Sequence, residues 1–184
     1  MRTIISVKTG DLLEEVADVI VSTGNPWLRM SGGVNGAILL QGGESIQDEL
    51  QAYLRAAGKA AVDPGSVVVT GSGCLKTRKI LHAVAIDPFY NTSIELVRAT
   101  LERALTTSRD LGAKSVAMPT LATGYGRLPV EDFAVALSQA MSADWSPIEH
   151  ITVVVHKPEN ADVVRGIINR RDDSGMGETI KGEP

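Results

Sequence analysis

The sequence predicts an α/β fold with a mixed central sheet. Three observations carry this. Short apolar runs of strand length, Val19-Ile20-Val21 and Ser115-Val116-Ala117-Met118, each lead into a glycine-bearing loop and then into a helical stretch. The run Ile151-Thr152-Val153-Val154-Val155 is nearly all apolar, as in a strand covered on both faces. Residues 67–70 and 80–86 are strand-like and joined by a short connection, which makes a hairpin and hence one antiparallel pair. Strands alternating with helices set the class, and the hairpin makes the sheet mixed.

The elements follow in order. Residues 3–9 read as a strand broken by Gly10, residues 11–17 as a short helical turn, and residues 18–22 as the next strand. A helix is expected from Ser31 or Val34 to Leu40, stopping at Gly42-Gly43. Ser45-x-x-Asp48 has the pattern of a helix start. Ile46, Leu50, Leu54 and Ala57 share one face of that helix, and Gly58 can cap it. Asp63-Pro64-Gly65 is a turn before the hairpin strands. A long helix is expected over 93–111, boxed at its start by Thr92-x-x-Glu95 and ended by Gly112. After the strand at 115–118 and a second glycine loop, Pro129 suits the first turn of a helix over 130–141. Phe133, Ala134, Leu137 and Met141 would point inward from it. The last strand, 151–155, precedes a last helix over 160–170. One domain is expected over residues 1–170, followed by a polar, disordered tail over 171–184 with Gly175, Gly177 and Gly182.

Composition narrows the function. With 184 residues, 43% of them hydrophobic, the chain can build one sizeable core. No apolar run approaches the roughly twenty residues of a membrane span, so no membrane partner is expected. Met1-Arg2-Thr3 leads straight into strand-like sequence, so no signal peptide is expected. Cys74 is the single cysteine, which excludes an internal disulfide and a cysteine-based metal cluster, and fits a reducing cytoplasm. The net charge is −4 and there is no basic run. That argues against a dedicated nucleic-acid surface, but leaves a single nucleic-acid end as a substrate. His82, His150 and His156 are isolated in sequence, so no metal is expected, and no cofactor either. The chain has no G-x-S-x-G elbow and no P-loop lysine. A nicotinamide-dependent oxidoreductase would need G-x-G-x-x-G after the first strand, and that spacing is missing.

The glycine loops hold the chemistry. Asn25-Pro26 opens a turn, and Gly32-Gly33 directly precede the helical run Val34-Asn35-Gly36-Ala37-Ile38. Strand, glycine loop, helix presents free backbone N–H groups and a helix dipole to an anion. A side chain at Gly32 or Gly33 would keep a phosphate off the backbone. The device recurs in Ala122-Thr123-Gly124-Tyr125-Gly126 before the second helix. Two such loops at neighbouring strand ends can hold two phosphates, or one diphosphate from both sides. The plain alternative is that the glycines only turn the chain.

Taken together, Gly10-Asp11, Asn25, Ser31-Gly32-Gly33-Val34-Asn35-Gly36-Ala37-Ile38, Ile80-Leu81-His82-Ala83-Val84 and Ala122-Thr123-Gly124-Tyr125-Gly126 resemble the macro domain in order and spacing, over residues 4–168. The resemblance implies a three-layer α/β/α sandwich that binds ADP-ribose or an ADP-ribosylated protein or nucleic acid. Some members hydrolyse ADP-ribosyl groups from proteins or nucleic acids, or deacetylate O-acetyl-ADP-ribose. It further implies that Asp11 accepts from the adenine amino group with the Leu12 N–H on the ring, although Asp11-x-x-Glu14 is also a helix cap. Asn25 would reach the distal ribose; by itself it is a turn residue. Ser31, Gly32, Gly33 and Val34, facing Ala122, Thr123, Gly124, Tyr125 and Gly126, would hold the diphosphate.

The chain departs from the family at two places. Many hydrolases of the family carry an aspartate where Asn35 stands, and an amide can hydrogen bond but cannot be a general base. Asn25 and Asn35 are the candidate catalytic residues, and the resemblance supports binding better than catalysis. The second loop is one residue shorter than in many members, as in a bacterial and archaeal subgroup, because Tyr125 follows Gly124 at once. His156 falls near the aromatic that often covers adenine, with a surface histidine as the alternative. His82, inside an apolar strand, reads as a core histidine, and Glu131 and Asp132 as first-turn charges.

Overall fold

The computed structural model describes residues 3–175. A six-stranded sheet runs β1 (Ile4–Thr9), β6 (His150–Val155), β5 (Ser115–Pro119), β2 (Val19–Thr23), β4 (Lys79–Ala83), β3 (Val67–Thr70) from edge to edge. All neighbours are parallel except β3 and β4, which form the expected antiparallel pair.

Side chains alternate across the sheet and so feed two separate cores. Val19 and Val21 of β2, Val116 and Met118 of β5, and Ile151 and Val153 of β6 face α3 (Ile94–Asp110), α4 (Val130–Ala140) and α5 (Pro158–Gly175). On the other face, Val68 and Ile80 pack under Ile38 of α1 (Gly33–Gly42) and Ile46, Leu50 and Leu54 of α2 (Ser45–Ala57). The chain is therefore a three-layer α/β/α sandwich. The second face is covered less fully. Beside α1 and α2, among the described residues, a 3-10 turn at Leu12–Glu14 lies over Ile20, Ala117 and Val154. A cleft opens between that turn and α1.

Asp18 fixes the opposite, amino-terminal end of the sheet. Its Oδ2 accepts from the N–H groups of Lys114 (2.7 Å) and Ser115 (3.1 Å), and Ser115 Oγ accepts from the Asp18 N–H (2.9 Å). Its carbonyl accepts from Arg78 N–H and Thr77 Oγ1, both at 2.9 Å. One residue thus ties together the starts of β2, β4 and β5. The Lys114 backbone bond, with help from Ser115 and Arg78, holds the Asp18 carboxyl below its usual pKa.

Several element ends differ from expectation. The structure starts α2 with Glu44 at the cap and no side-chain bond there, so Ser45 is the first helical residue and not its cap. Ser93, not Thr92, caps α3 through the Leu96 N–H (3.1 Å), because Thr92 Oγ1 is already donating to the Ala85 carbonyl. Pro129 is the cap of α4 and not part of its first turn. Strand β4 ends at Ala83, three residues early, where Val84 pairs instead with Gly65 and Ser66 ahead of β3. Helix α5 runs Pro158–Gly175, beyond the expected end at 170. Of the tail expected to be disordered, residues 176–184 lie outside the described residues. No helix among the described residues is long and apolar enough to cross a membrane.

Candidate ligand cleft

The cleft lies past the carboxyl ends of the parallel strands, where open α/β sheets bind ligands. Its volume is about 630 Å³, within the ordinary range for a small-molecule site. Leu12 and His156 stand at one end, on the β1–β6 side of the sheet. Asn25, Asn35 and Tyr90 stand toward the other, on the β2–β4 side. Val34, Ala85, Ile86 and Val154 contribute apolar surface.

The two glycine loops form facing walls. They are adjacent because β2 and β5 are paired neighbours. In the first, Ser31, Gly32, Gly33 and Val34 all line the cleft. Gly32 and Gly33 have φ of 69° and 52°, in the left-handed region that favours glycine. Helix α1 starts here without any side-chain cap, so its first-turn N–H groups and dipole are left for the cleft. In the second wall, Ala122, Thr123, Gly124, Tyr125 and Gly126 line the same space. Bonds from Arg127 N–H to Gly124 O (3.0 Å) and from Leu128 N–H to Ala122 O (3.1 Å) close this loop. Thr123 Oγ1 is tied to Thr120, so that hydroxyl braces the turn. A Cβ on Gly126 would stand 2.6 Å from Ala122 O and 2.8 Å from Ile86 Cγ2, so only glycine fits. A Cβ on Gly124 would meet nothing within 4 Å.

Both asparagines line the cleft, yet both amides are committed. Asn25 Nδ2 donates to Arg29 O (2.6 Å) and its Oδ1 accepts from Arg29 N–H (3.2 Å), which closes the 25–29 turn. Asn35 is buried; its Oδ1 accepts from Ser22 Oγ (2.5 Å) and its Nδ2 donates to the Thr23 carbonyl. Asn35 therefore pins the first turn of α1 to the end of β2. Asp11 is exposed and acts as the cap of the 3-10 turn, its Oδ1 accepting from Leu13 N–H at 2.9 Å. Leu12, not Asp11, is the residue that lines the cleft there. His82 is a core histidine, its Nε2 3.0 Å from Thr70 Oγ1 and its pKa pushed down to about 4 by burial.

No Asp, Glu, Lys or Arg is among the cleft's lining residues. An anion placed there would find backbone N–H groups and the α1 dipole rather than a countercharge. Among the described residues no group of His, Cys, Asp and Glu is arranged to hold a metal.

Sequence reasoning named Tyr125 but missed the aromatics that stand beside it at the rim. Tyr90 lines the cleft, its ring centroid 6.0 Å from that of Tyr125 and 6.4 Å from that of Trp27. The chain has two Trp, three Tyr and two Phe, and Trp27, Phe89, Tyr90 and Tyr125 all stand in these loops. The available signal was Asp87-Pro88-Phe89-Tyr90-Asn91, a polar turn with two aromatics directly after a buried strand. Tyr125 also reaches across: its hydroxyl lies 3.0 Å from where a Gly32 Cβ would be.

Comparison with known proteins agrees with this architecture. A Pyrobaculum aerophilum protein of unassigned function is 35% identical over 158 residues, 82% of each chain. A macro domain-containing protein of Streptomyces coelicolor is 32% identical, covering 82% of this chain and 90% of its own. A mutant of the Oceanobacillus iheyensis macrodomain with ADPR superposes with a TM-score of 0.82 at 22% identity, over 91% of this chain and 92% of its own. The Trypanosoma brucei macrodomain in complex with ADP-ribose superposes with a TM-score of 0.77 at 19% identity, over 89% and 68%. At these identities the two structures establish the fold. The Macro domain family pattern matches residues 21–137, more than half of the sequence and both glycine loops, and the chain belongs to that family.

Proposed function

We propose that this protein binds ADP-ribose and ADP-ribosyl conjugates, with the diphosphate held between the two glycine loops. The observation that carries the reading is the cleft's lining: an uncapped helix N-terminus and a glycine loop face each other, and no charged side chain intrudes. Such a site suits a linear diphosphate flanked by two neutral, hydrogen-bonding sugars. The adenine lies at the Leu12 and His156 end, where Asp11 has Oδ2 left to accept from the amino group. The distal ribose lies toward Asn25, Asn35 and Tyr125. The solved macrodomains with ADPR, ADP and ADP-ribose bound support the choice of ligand.

Binding is favoured over hydrolysis. No carboxylate lines the cleft, and the Asn35 amide is held by Ser22 and Thr23. Any hydrolysis of an ADP-ribosyl ester, a glycosidic bond or an O-acetyl ester would depend on a water placed by the substrate's own phosphate, and would be slow. A cytoplasmic setting fits the exposed, unpaired Cys74. Calorimetry tests the reading: ADP-ribose is expected to bind with a micromolar dissociation constant, about −8 kcal/mol, and AMP, with one phosphate, much more weakly. Equal affinity for the two, or no binding of ADP-ribose, refutes it.

A further inference from the structure

A second recess, of about 720 Å³, adjoins the cleft on its β4 side and shares Tyr90, Gly124, Tyr125 and Gly126 with it. Phe89, Asn91, Thr92 and Arg127 complete its walls. Phe89 is 82% exposed, and Tyr90 and Tyr125 are well exposed beside it. We infer that cleft and recess together bind a free adenine dinucleotide whose second ring is uncharged and carries a carboxamide, as the reduced nicotinamide of NADH does. Binding alone is meant, with no hydride transferred, and it rests on the proposed seating of the ADP-ribose part in the cleft.

The aromatic faces stand ready for a flat ring. Exposed aromatics on a slack loop would collapse onto the surface, but this loop is braced from inside. Asp87 Oδ1 accepts from the N–H groups of Phe89 (2.7 Å) and Asn91 (2.8 Å), and its Oδ2 from Asn91 Nδ2 (3.0 Å). Tyr90 N–H donates to Asp87 O and Asp87 N–H to Asn91 O. Tyr90 is held at φ 65°, a conformation a tyrosine adopts only when its surroundings impose it. The rings are thus held out, and stacking on them costs little further entropy. Because the recess shares four residues with the cleft, a ring in it stands next to the distal ribose.

The edge of the recess selects the ring's substituent. Asn91 spends its Nδ2 on Asp87, and Thr92 spends its hydroxyl on Ala85 O. Asn91 Oδ1 and the Thr92 N–H take no part in these bonds, so one wall keeps an acceptor and a donor on consecutive residues. A primary carboxamide carries its C=O and an N–H on one edge and can meet both. A trans peptide group points its two to opposite edges and can meet one of them at a time. Charge selects the oxidation state. The cleft and the recess have no Asp, Glu or Lys among their lining residues and one Arg, Arg127 of the recess. A pyridinium would stand beside that guanidinium with no carboxylate to offset the repulsion. Exposed aromatic faces return only a modest attraction for a cation. A dihydropyridine is neutral and meets no such opposition.

Calorimetry tests this with ADP-ribose, NADH, NAD⁺ and the reduced dinucleotide that bears an acetyl group in place of the carboxamide. NADH is expected to bind about tenfold more tightly than ADP-ribose, from one stacked ring. NAD⁺ should bind several-fold more weakly than NADH, and Arg127→Gln should close that gap. The acetyl analogue keeps a carbonyl but has no N–H for Asn91 Oδ1, so it should lose part of the gain. Phe89→Ala should abolish the gain while leaving the affinity for ADP-ribose unchanged, since Phe89 does not line the cleft. NADH no tighter than ADP-ribose, NAD⁺ or the acetyl analogue as tight as NADH, a gap that survives Arg127→Gln, or no effect of Phe89→Ala would each overturn the inference. A Phe89-dependent gain for a serine peptide carrying ADP-ribose, with none for NADH, would give the recess to a protein conjugate and overturn it as well. Failure of ADP-ribose itself to bind would instead bring down the functional reading, and this inference with it.

Discussion

Replacing Asn35 by aspartate would restore the carboxylate that many hydrolases of this family carry, and here it should destabilise the protein. The Asn35 amide is used at both ends: Oδ1 accepts from Ser22 Oγ, and Nδ2 donates to Thr23 O. Aspartate keeps the first bond. At the second it sets an acceptor against an acceptor at a site only 7% exposed. Losing the donor to a buried carbonyl costs about 1–3 kcal/mol. The carboxyl escapes the clash by keeping its proton, and each unit by which its pKa rises costs about 1.4 kcal/mol at neutral pH. The two are alternative routes, and a cost of about 1–3 kcal/mol by either lowers the melting temperature by roughly 2–12 °C for a domain of this size. The sign with pH follows. The folded pKa lies above the unfolded value of about 3.9, so the charge penalty is absent below that pH and grows as pH rises through it. Thermal melts at about pH 4 and about pH 7.5 should show the larger deficit at the higher pH. A variant as stable as the natural protein, or with the same deficit at both pH values, would refute the pinning role of Asn35. The variant should also gain little hydrolytic activity on glutamate-linked, serine-linked or nucleic-acid-linked ADP-ribose, because the new carboxyl is held at the Thr23 carbonyl and not at a water.

Further outcomes are open to direct measurement. Gly124→Glu puts a carboxylate at the diphosphate site but meets no atom within 4 Å at its Cβ, so calorimetry should show no ADP-ribose binding while the melting temperature holds; normal binding would move the phosphate site elsewhere. Asp11→Ala should weaken ADP-ribose by about 1.5–3 kcal/mol, roughly ten- to a hundredfold, if its second oxygen meets the adenine. A lower melting temperature with unchanged affinity would reduce Asp11 to the cap of the 3-10 turn. Asp18→Ala removes two charge-assisted backbone bonds at the base of β5 and should cost about 2 kcal/mol. Because the folded pKa of Asp18 is depressed, its contribution is present above the unfolded value and is lost as pH falls through the folded one. Melts in acid should therefore show the gap between variant and natural protein closing, and a gap that widens would contradict this.

How much of this was legible beforehand depends on where each signal lies. Period-two alternation and apolar runs are local, and they placed all six strands to within a few residues. Helix starts were harder, since capping is a competition. Thr92 has the right pattern but its hydroxyl is taken by Ala85 O, so Ser93 caps instead. The glycine loops were readable because glycine at φ 69° and 52° before an uncapped helix leaves a trace in composition. Asn25 was readable as a turn residue, and its amide does close the 25–29 turn, but the use of Asn35 was not readable, because its amide is fixed by a partner that only the neighbouring strand supplies. Tyr125 was named with its loop, but its ring partners Tyr90 and Trp27 were missed for the same reason. Trp27, Tyr90 and Tyr125 come from three separate loops, and nothing in one loop announces the other two.

On the proposed reading, the topology favours binding over catalysis. Placing β5 beside β2 brings two glycine loops together at neighbouring strand ends, although the sequence holds them far apart. Each loop contributes backbone, which cannot titrate. On the proposed reading, a site made this way would meet a diphosphate with fixed dipoles and need no lysine or arginine. Among the cleft's lining residues there is no Asp or Glu; at the distal end Asn25 and Asn35 are amides engaged in holding loops in place, and Tyr90 and Tyr125 are phenols at the rim. On the proposed reading, binding would draw on backbone geometry. On the same reading, catalysis would call for a carboxylate at residue 35, a position that this chain uses to fasten α1 to β2. A gain in hydrolytic rate should therefore come only from variants that first supply Thr23 O with another donor, and a carboxylate introduced at residue 35 by itself should leave ADP-ribose release at its background rate.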